Sequence, residues 1–294
     1  MAVGETTTGS LADSQPTMIA DARIVREFEG VYLRTCDVRK LREGTGLTWN
    51  EISLAGLEAM DITETTNNDN PQQMADTILS LTPTMTQIMV KITDRTYRRI
   101  ADVVESKMGT LAGNAMARKK DDDYTSLFST FGTGASPGAG IALSFGHITA
   151  AVNRTTSNRT EPATGNVYTV LRGEQIYDIQ NEILSGVGTY TIPSGMTEQV
   201  FRSGFRGSVG GSNVYEDGNI GIGASGAQDA RGATHAREGV VCVNGMSIRT
   251  EKRRDPAFGG GADEIFMTDE YGFVERSAGN WCYMHLSDAT LPTS

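Results

Sequence analysis

The sequence has little of what redox and metal sites are built from. Its 294 residues include only three cysteines, Cys36, Cys242 and Cys282, far apart and with no C-x-x-C among them. That spacing argues against a zinc knuckle or a dithiol motif and predicts three reduced thiols. The three histidines, His147, His235 and His285, show no H-E-x-x-H and no paired spacing, so neither a metal nor a cofactor is expected. No G-x-S-x-G elbow marks a nucleophile, and no catalytic residue is assigned. No apolar run approaches the ~20 residues of a membrane span. The polar opening Met1 to Ser10 has no apolar stretch of the secretory kind, so a cytoplasmic site of synthesis is expected and a membrane partner is not.

What is present points to a loop-rich globular chain. Glycine is abundant (34 residues), while hydrophobic (38%) and charged (21%) contents fall somewhat below typical usage. The length suits one large domain or two ordinary ones. A formal charge of -10 repels phosphate and disfavours sequence-specific nucleic-acid binding.

Residues 1–18 are rich in Thr, Ser and Gly and read as an extended arm. Ile19, Ala22 and Val25 fall at helical spacing, predicting a short helix from Met18 to Glu29. Between Leu47 and Val90 the pattern is strand-like. Leu79, Leu81 and Met85 alternate with Ser80, Thr82 and Thr84, and Asn67-Asn68-Asp69-Asn70-Pro71 is a concentrated turn signal. Residues 43–92 therefore read as a long two-armed hairpin, with Pro83 confining its second arm to an edge or an exposed ribbon. Residues 94–120 form the clearest helix. Asp94 can open it, and Tyr97, Ile100, Val104, Met108, Leu111 and Ala115 recur at steps of three and four.

Beyond residue 132, shorter elements alternate. A helix from Ser144 to Val152 has Ser144 as N-cap, and a second helix spans Glu174 to Leu184. Strands are expected at Val167–Leu171, Val214–Glu216 and Val240–Val243, and two more around the turn Ser277–Asn280. Gly221 to Gly226 matches G-x-G-x-x-G, but Ala227 to Ala236 has no large apolar residue and cannot make the packed helix a dinucleotide site needs, so a loop is expected. The charge runs Lys119–Asp123 and Lys252–Asp255 read either as solvated surface or as pairing between subunits.

This order of arm, long hairpin, long helix, mixed region and returning strands resembles the tailed-phage major capsid proteins. The wording is similar too, over Met1 to Ser14, Glu64 to Gln73, Ala115 to Asp121 and Glu275 to Trp281. The resemblance covers essentially the whole chain and rests on order plus these stretches rather than on a chemical signature. It implies an α+β subunit of the Hong Kong 97-type fold. The parts would be an N-terminal arm (1–42), an extended loop (43–92), a peripheral domain with a spine helix (93–142), an axial domain (143–239) and returning strands with the C-terminus (240–294). It implies a virion shell assembled in a host cytoplasm from hexamers and pentamers, enclosing DNA without reading its sequence. Portal, scaffolding and decoration proteins are the implied partners. The loop tip, Thr65, Thr66, Asn67, Asn68, Asp69, Asn70 and Pro71, would touch a neighbouring subunit. Tyr97, Ile100, Val104, Met108 and Leu111 would pack the spine helix on a sheet. The founding member of the fold is cross-linked through a lysine on the extended loop. This chain has no lysine between Leu41 and Val90, so that chemistry does not carry over. The alternatives are an encapsulin-type shell and a soluble α/β enzyme.

Overall fold

The computed structural model describes residues 30–44, 46–65, 71–99, 103–186, 207–225, 228–277 and 279–291. The helix expected over Met18 to Glu29 lies outside the described residues. Elements run in the order α1 (Tyr32–Thr35), β1 (Asp37–Lys40), β2 (Trp49–Leu54), β3 (Asp76–Leu81), β4 (Thr84–Thr93), α2 (Asp94–Arg99), α3 (Val103–Ser126), α4 (Phe145–Thr156), β5 (Val167–Leu171), α5 (Gly173–Gly186), β6 (Ser208–Val209), β7 (Ser212–Glu216), β8 (Asp229–Ala236), β9 (Val240–Asp255), β10 (Ala262–Glu275) and β11 (Cys282–Asp288).

Among the described residues the strands form two sheets and a separate ribbon. One sheet has the order β1-β9-β10-β4, the other β11-β8-β5-β7-β6, and β2 pairs only with β3. The 16-residue β9 and 14-residue β10 make one long antiparallel ribbon. β9 is buried at Val240 to Val243 and exposed from Ser247 to Arg254, whereas β10 stays at least partly buried along its length. β10 and β11 flank the Ser277–Asn280 turn as expected, yet they are not partners, because β10 stays in the first sheet and β11 joins β8 in the second.

Local chemistry accounts for several elements. Ser144 and His147 form a reciprocal capping pair at the start of α4, and Ile148, Ala151, Val152 and Thr155 recur on its buried face. β5 is Val-Tyr-Thr-Val-Leu, buried at every position because the two helices cover one face and the main core the other. β8 forms in a stretch to which the sequence pattern assigns no element, beyond excluding a packed helix. Its small residues are what a central strand needs here, since a Cβ at Gly232 would sit 2.5 Å from Leu171 and 2.9 Å from the Val170 carbonyl. Gly221 to Ser225 does remain a loop, tied to β8 by the Ile222–Ala230 bridge, with Gly223 at φ +95°.

The expected arm ends inside the body. Residues 31–40 are not an appendage, because Cys36 is buried and β1 pairs in parallel with β9. The main core joins Cys36, Tyr124, Phe128, Phe131, Val170, Val240, Cys242 and Cys282. The three thiols are free and buried, and burial pushes all three well above the usual thiol range.

Two histidines lie fully buried in this interior. Thr35 donates to the Tyr124 hydroxyl (2.9 Å), which donates to His235 Nε2 (2.6 Å). His285 Nδ1 donates to the Ala135 carbonyl at 3.2 Å, and Nε2 accepts from the Thr234 hydroxyl at 2.7 Å. Burial lowers both imidazoles to about 4, so both are neutral at pH 7.

Candidate subunit interface

The ribbon of β2 and β3 has one anchored face and one bare face. Trp49, Glu51, Leu79 and Leu81 share the side turned toward the body. Leu81 lies over Gly272, where a Cβ would come within 3.2 Å of it. Glu51 accepts from Arg276 at 2.9 Å, and the same guanidinium reaches Asp37 at 3.1 Å and the Glu238 carbonyl at 2.6 Å. One arginine thus ties the ribbon to β1 and to the turn before β9.

The opposite face carries Ile52 directly across from Ile78, with Leu54 beside them, each more than 60% exposed. Further out, Leu57, Met60, Ile62 and Met74 are also exposed. There the two arms are held by Glu58 N–H donating to Gln72 Oε1 at 2.9 Å and by Ala55 N–H donating to the Ala75 carbonyl at 2.9 Å. Thr65 and Pro71 at the tip are exposed, while Thr66, Asn67, Asn68, Asp69 and Asn70 lie outside the described residues.

The second arm is shorter than expected. Pro83 interrupts the strand, and the chain from Thr84 onward leaves the ribbon as β4, pairing with β10 from Ala262↔Thr93 to Tyr271↔Thr84. β4 is an edge strand, as the proline implied, but an edge of the body sheet. Its Met85 and Met89 are exposed as well. Of seventeen large exposed hydrophobic residues among those described, ten fall between Leu47 and Met89. Sequence periodicity hid this surface, because a strand with one covered face and one bare apolar face reads like a core strand.

The long helix differs from expectation in extent and in its buried face. It runs on to Ser126, and residues 100–102, with Ile100 among them, lie outside the described residues. The side chain of Val104 is likewise outside what is described. Tyr97 and Met108 are half-buried, and Leu111 is 42% exposed instead of packed on a sheet. The packing lies further along, where Met116, Lys120, Asp121 and Tyr124 are buried at steps of four, one and three. Lys120 pairs with Asp269 of β10 at 2.6 Å, and Tyr271 donates to Asp123 at 2.7 Å. The Lys119–Asp123 run is therefore neither free surface nor intersubunit glue at this end: part of it docks the helix onto β10.

The Lys252–Asp255 run is also satisfied within the chain. Lys252 and Arg254 both meet Asp263 at 3.1 Å, and Lys91 reaches Asp255 at 2.8 Å and Glu264 at 3.0 Å. Arg254 also pairs with Asp94 at the start of α2 and holds that carboxyl below the usual range. These pairs fasten the outer ends of β9, β10 and β4 and the start of α2 to one another.

No protein-family model matches the sequence, and no curated protein matches it. The fold, in contrast, is that of phage capsid proteins. It is similar to the head structure of Helicobacter pylori bacteriophage KHP40, with a TM-score of 0.71 at 9% identity over 99% of each chain. A structure from Mycobacterium phage Che8 superposes with a TM-score of 0.70 at 15% identity, covering 92% of this chain and 96% of that one. The mature capsid of bacteriophage PhiM1 gives 0.65 at 11% identity, over 93% and 91%.

Proposed function

We propose that this chain is the major capsid protein of a tailed phage. It is a structural subunit of Hong Kong 97-type architecture that self-assembles, through hexamers and pentamers, into an icosahedral shell around double-stranded DNA. The capsid fold supports this, and the bare apolar face of the β2–β3 ribbon carries it. A monomer gains nothing from leaving Ile52, Leu54 and Ile78 in water, whereas a neighbouring subunit can cover them. Completing the burial of ten such side chains is worth roughly 1 kcal/mol each, about 10 kcal/mol per subunit before association costs are subtracted. The tip from Thr65 to Pro71 and the outer ribbon lie over the next subunit, and the helical segment that opens at Asp94 forms the spine beneath. Its exposed Leu111 also meets a neighbour. The role is architectural rather than catalytic. Portal and scaffolding proteins are its proposed partners, with a decoration protein as a further one.

Replacing Ile52 and Ile78 together by Asp tests the reading. The subunit should melt as the wild type does, because neither side chain is in its core, yet form no shells. Shells at wild-type yield would overturn the assignment of this face, and so would unfolding of the subunit.

A further inference from the structure

A buried carboxyl pair joins three parts of the fold and, among the described residues, has no cation paired with it. Asp121 on α3 and Asp217, just after β7, are both fully buried. Asp121 Oδ1 accepts the Val31 N–H at 3.1 Å, and Oδ2 accepts from Asn219 Nδ2 at 2.8 Å. Asp217 Oδ1 accepts the Asn219 N–H at 2.9 Å, while its Oδ2 is buried with no N–H or hydroxyl donor to accept from. Gly30 packs so tightly here that a Cβ would fall 2.4 Å from the Asp121 carboxyl.

Among the described residues no lysine or arginine pairs with either acid. Lys120 is taken by Asp269, and Arg172, from the corner between β5 and α5, pairs with Glu174 and donates to the carbonyls of Gly218 and Ile220. The other titratable groups around the pair are Tyr32 and Cys36 from the arm root and Asp122 and Tyr124 from the helix. Each of these becomes negative when it ionises, so none favours a second buried charge.

We propose that Asp121 and Asp217 share one proton, and that this proton latches the root of the N-terminal segment, Gly30 to Cys36, to the long helix. The roles follow from the hydrogen bonds. Both Asp121 oxygens already receive N–H groups, so Asp121 is the acceptor. The otherwise unpartnered Asp217 Oδ2 carries the proton and donates it. Removing that proton leaves two buried carboxylates bridged by Asn219 with no cation paired to either among the described residues, and separation of the arm root from α3 is what relieves them.

The sign of the pH dependence is fixed. Burial, and then the neighbouring Asp121, raise the Asp217 carboxyl to about 8. The closed latch therefore holds its proton where an opened, hydrated Asp217 has lost it. Opening becomes easier as pH rises from about 4 and stops changing above about 8. Between pH 6.5 and 9 the opening equilibrium should increase about thirtyfold, nearly all of it below pH 8.5. His235 and His285 are neutral in both states over that window and contribute little.

Hydrogen exchange of the Val31, Arg34 and Cys36 amides in the full-length subunit reads this directly, after correction for the intrinsic pH dependence of exchange. Val31 N–H is the latch bond itself, and the other two amides close the first turn on Val31 and Tyr32. The wild type should lose protection about thirtyfold and then level off. Asp217→Asn keeps a donor facing Asp121 and cannot titrate, so its protection should stay flat. A flat wild type, or an equal slope in the variant, would overturn the latch. Infrared spectroscopy of the wild type gives an independent check that needs no variant. A protonated-carboxyl band should be present at pH 6.5 and gone by pH 9.5, and its absence at pH 6.5 would refute the shared proton.

Discussion

Neutral His285 should make the subunit acid-sensitive by a calculable amount. The imidazole is fully buried, donates through Nδ1 to the Ala135 carbonyl, and accepts the Thr234 hydroxyl through Nε2. Protonating it would turn an acceptor into a donor facing a hydroxyl and would place an unpaired cation in the core. Its folded value of about 4 lies below the unfolded value near 6.5. The stabilisation is therefore complete above pH 6.5 and is lost as pH falls toward 4. At pH 5 the loss is about 2 kcal/mol. His285→Gln removes the titration and keeps an oxygen near the position of Nε2, at a cost of about 2 kcal/mol for the lost bond to Ala135. Urea unfolding of both subunits should show wild type ahead by about 2 kcal/mol at pH 7 and by nearly nothing at pH 5. Taking the difference cancels every other titrating group, Asp217 included, whose contribution has the opposite sign. A difference that stays constant from pH 7 to pH 5 would refute the claim that burial holds this histidine neutral.

Two further outcomes follow from packing and from composition. Gly232→Ala should cost about 2–4 kcal/mol in a chemical-denaturation curve, because the new methyl meets Leu171 and the Val170 carbonyl in a strand that cannot shift; a loss below 0.5 kcal/mol would show that β8 can move. Shells boiled in detergent should run as one band at the 31.5 kDa monomer mass, with or without reductant, since the ribbon has no lysine and the three thiols are buried and free. Higher bands that survive reductant would reveal a covalent link and direct attention to Lys40, Lys91 or Lys252.

Much of the fold was legible where one residue type has one physical use. Ser144 capped its helix, and the β-branched run at Val167–Leu171 became a strand at those limits. The misreadings came from tertiary context. Asp229–Ala236 gave no legible element because its small residues carry no apolar signal, yet smallness is what lets β8 lie against β5 and Leu171. Lys120 and Asp121 looked like surface because isolated charges are costly to bury, and only partners distant in sequence, Asp269, Asn219 and Asp217, make their burial affordable. The interface was half legible. The pairing of β2 with β3 could be read from strand periodicity, but the bare row of Ile52, Leu54 and Ile78 could not, since alternation alone does not tell which apolar face is covered.

Negative-stain electron microscopy of the purified full-length chain, concentrated in assembly-promoting salt, tests the central claim most directly. Closed shells of uniform diameter with hexameric and pentameric surface units are the predicted result. A field of compact monomers, together with a single slow boundary in sedimentation, would contradict it.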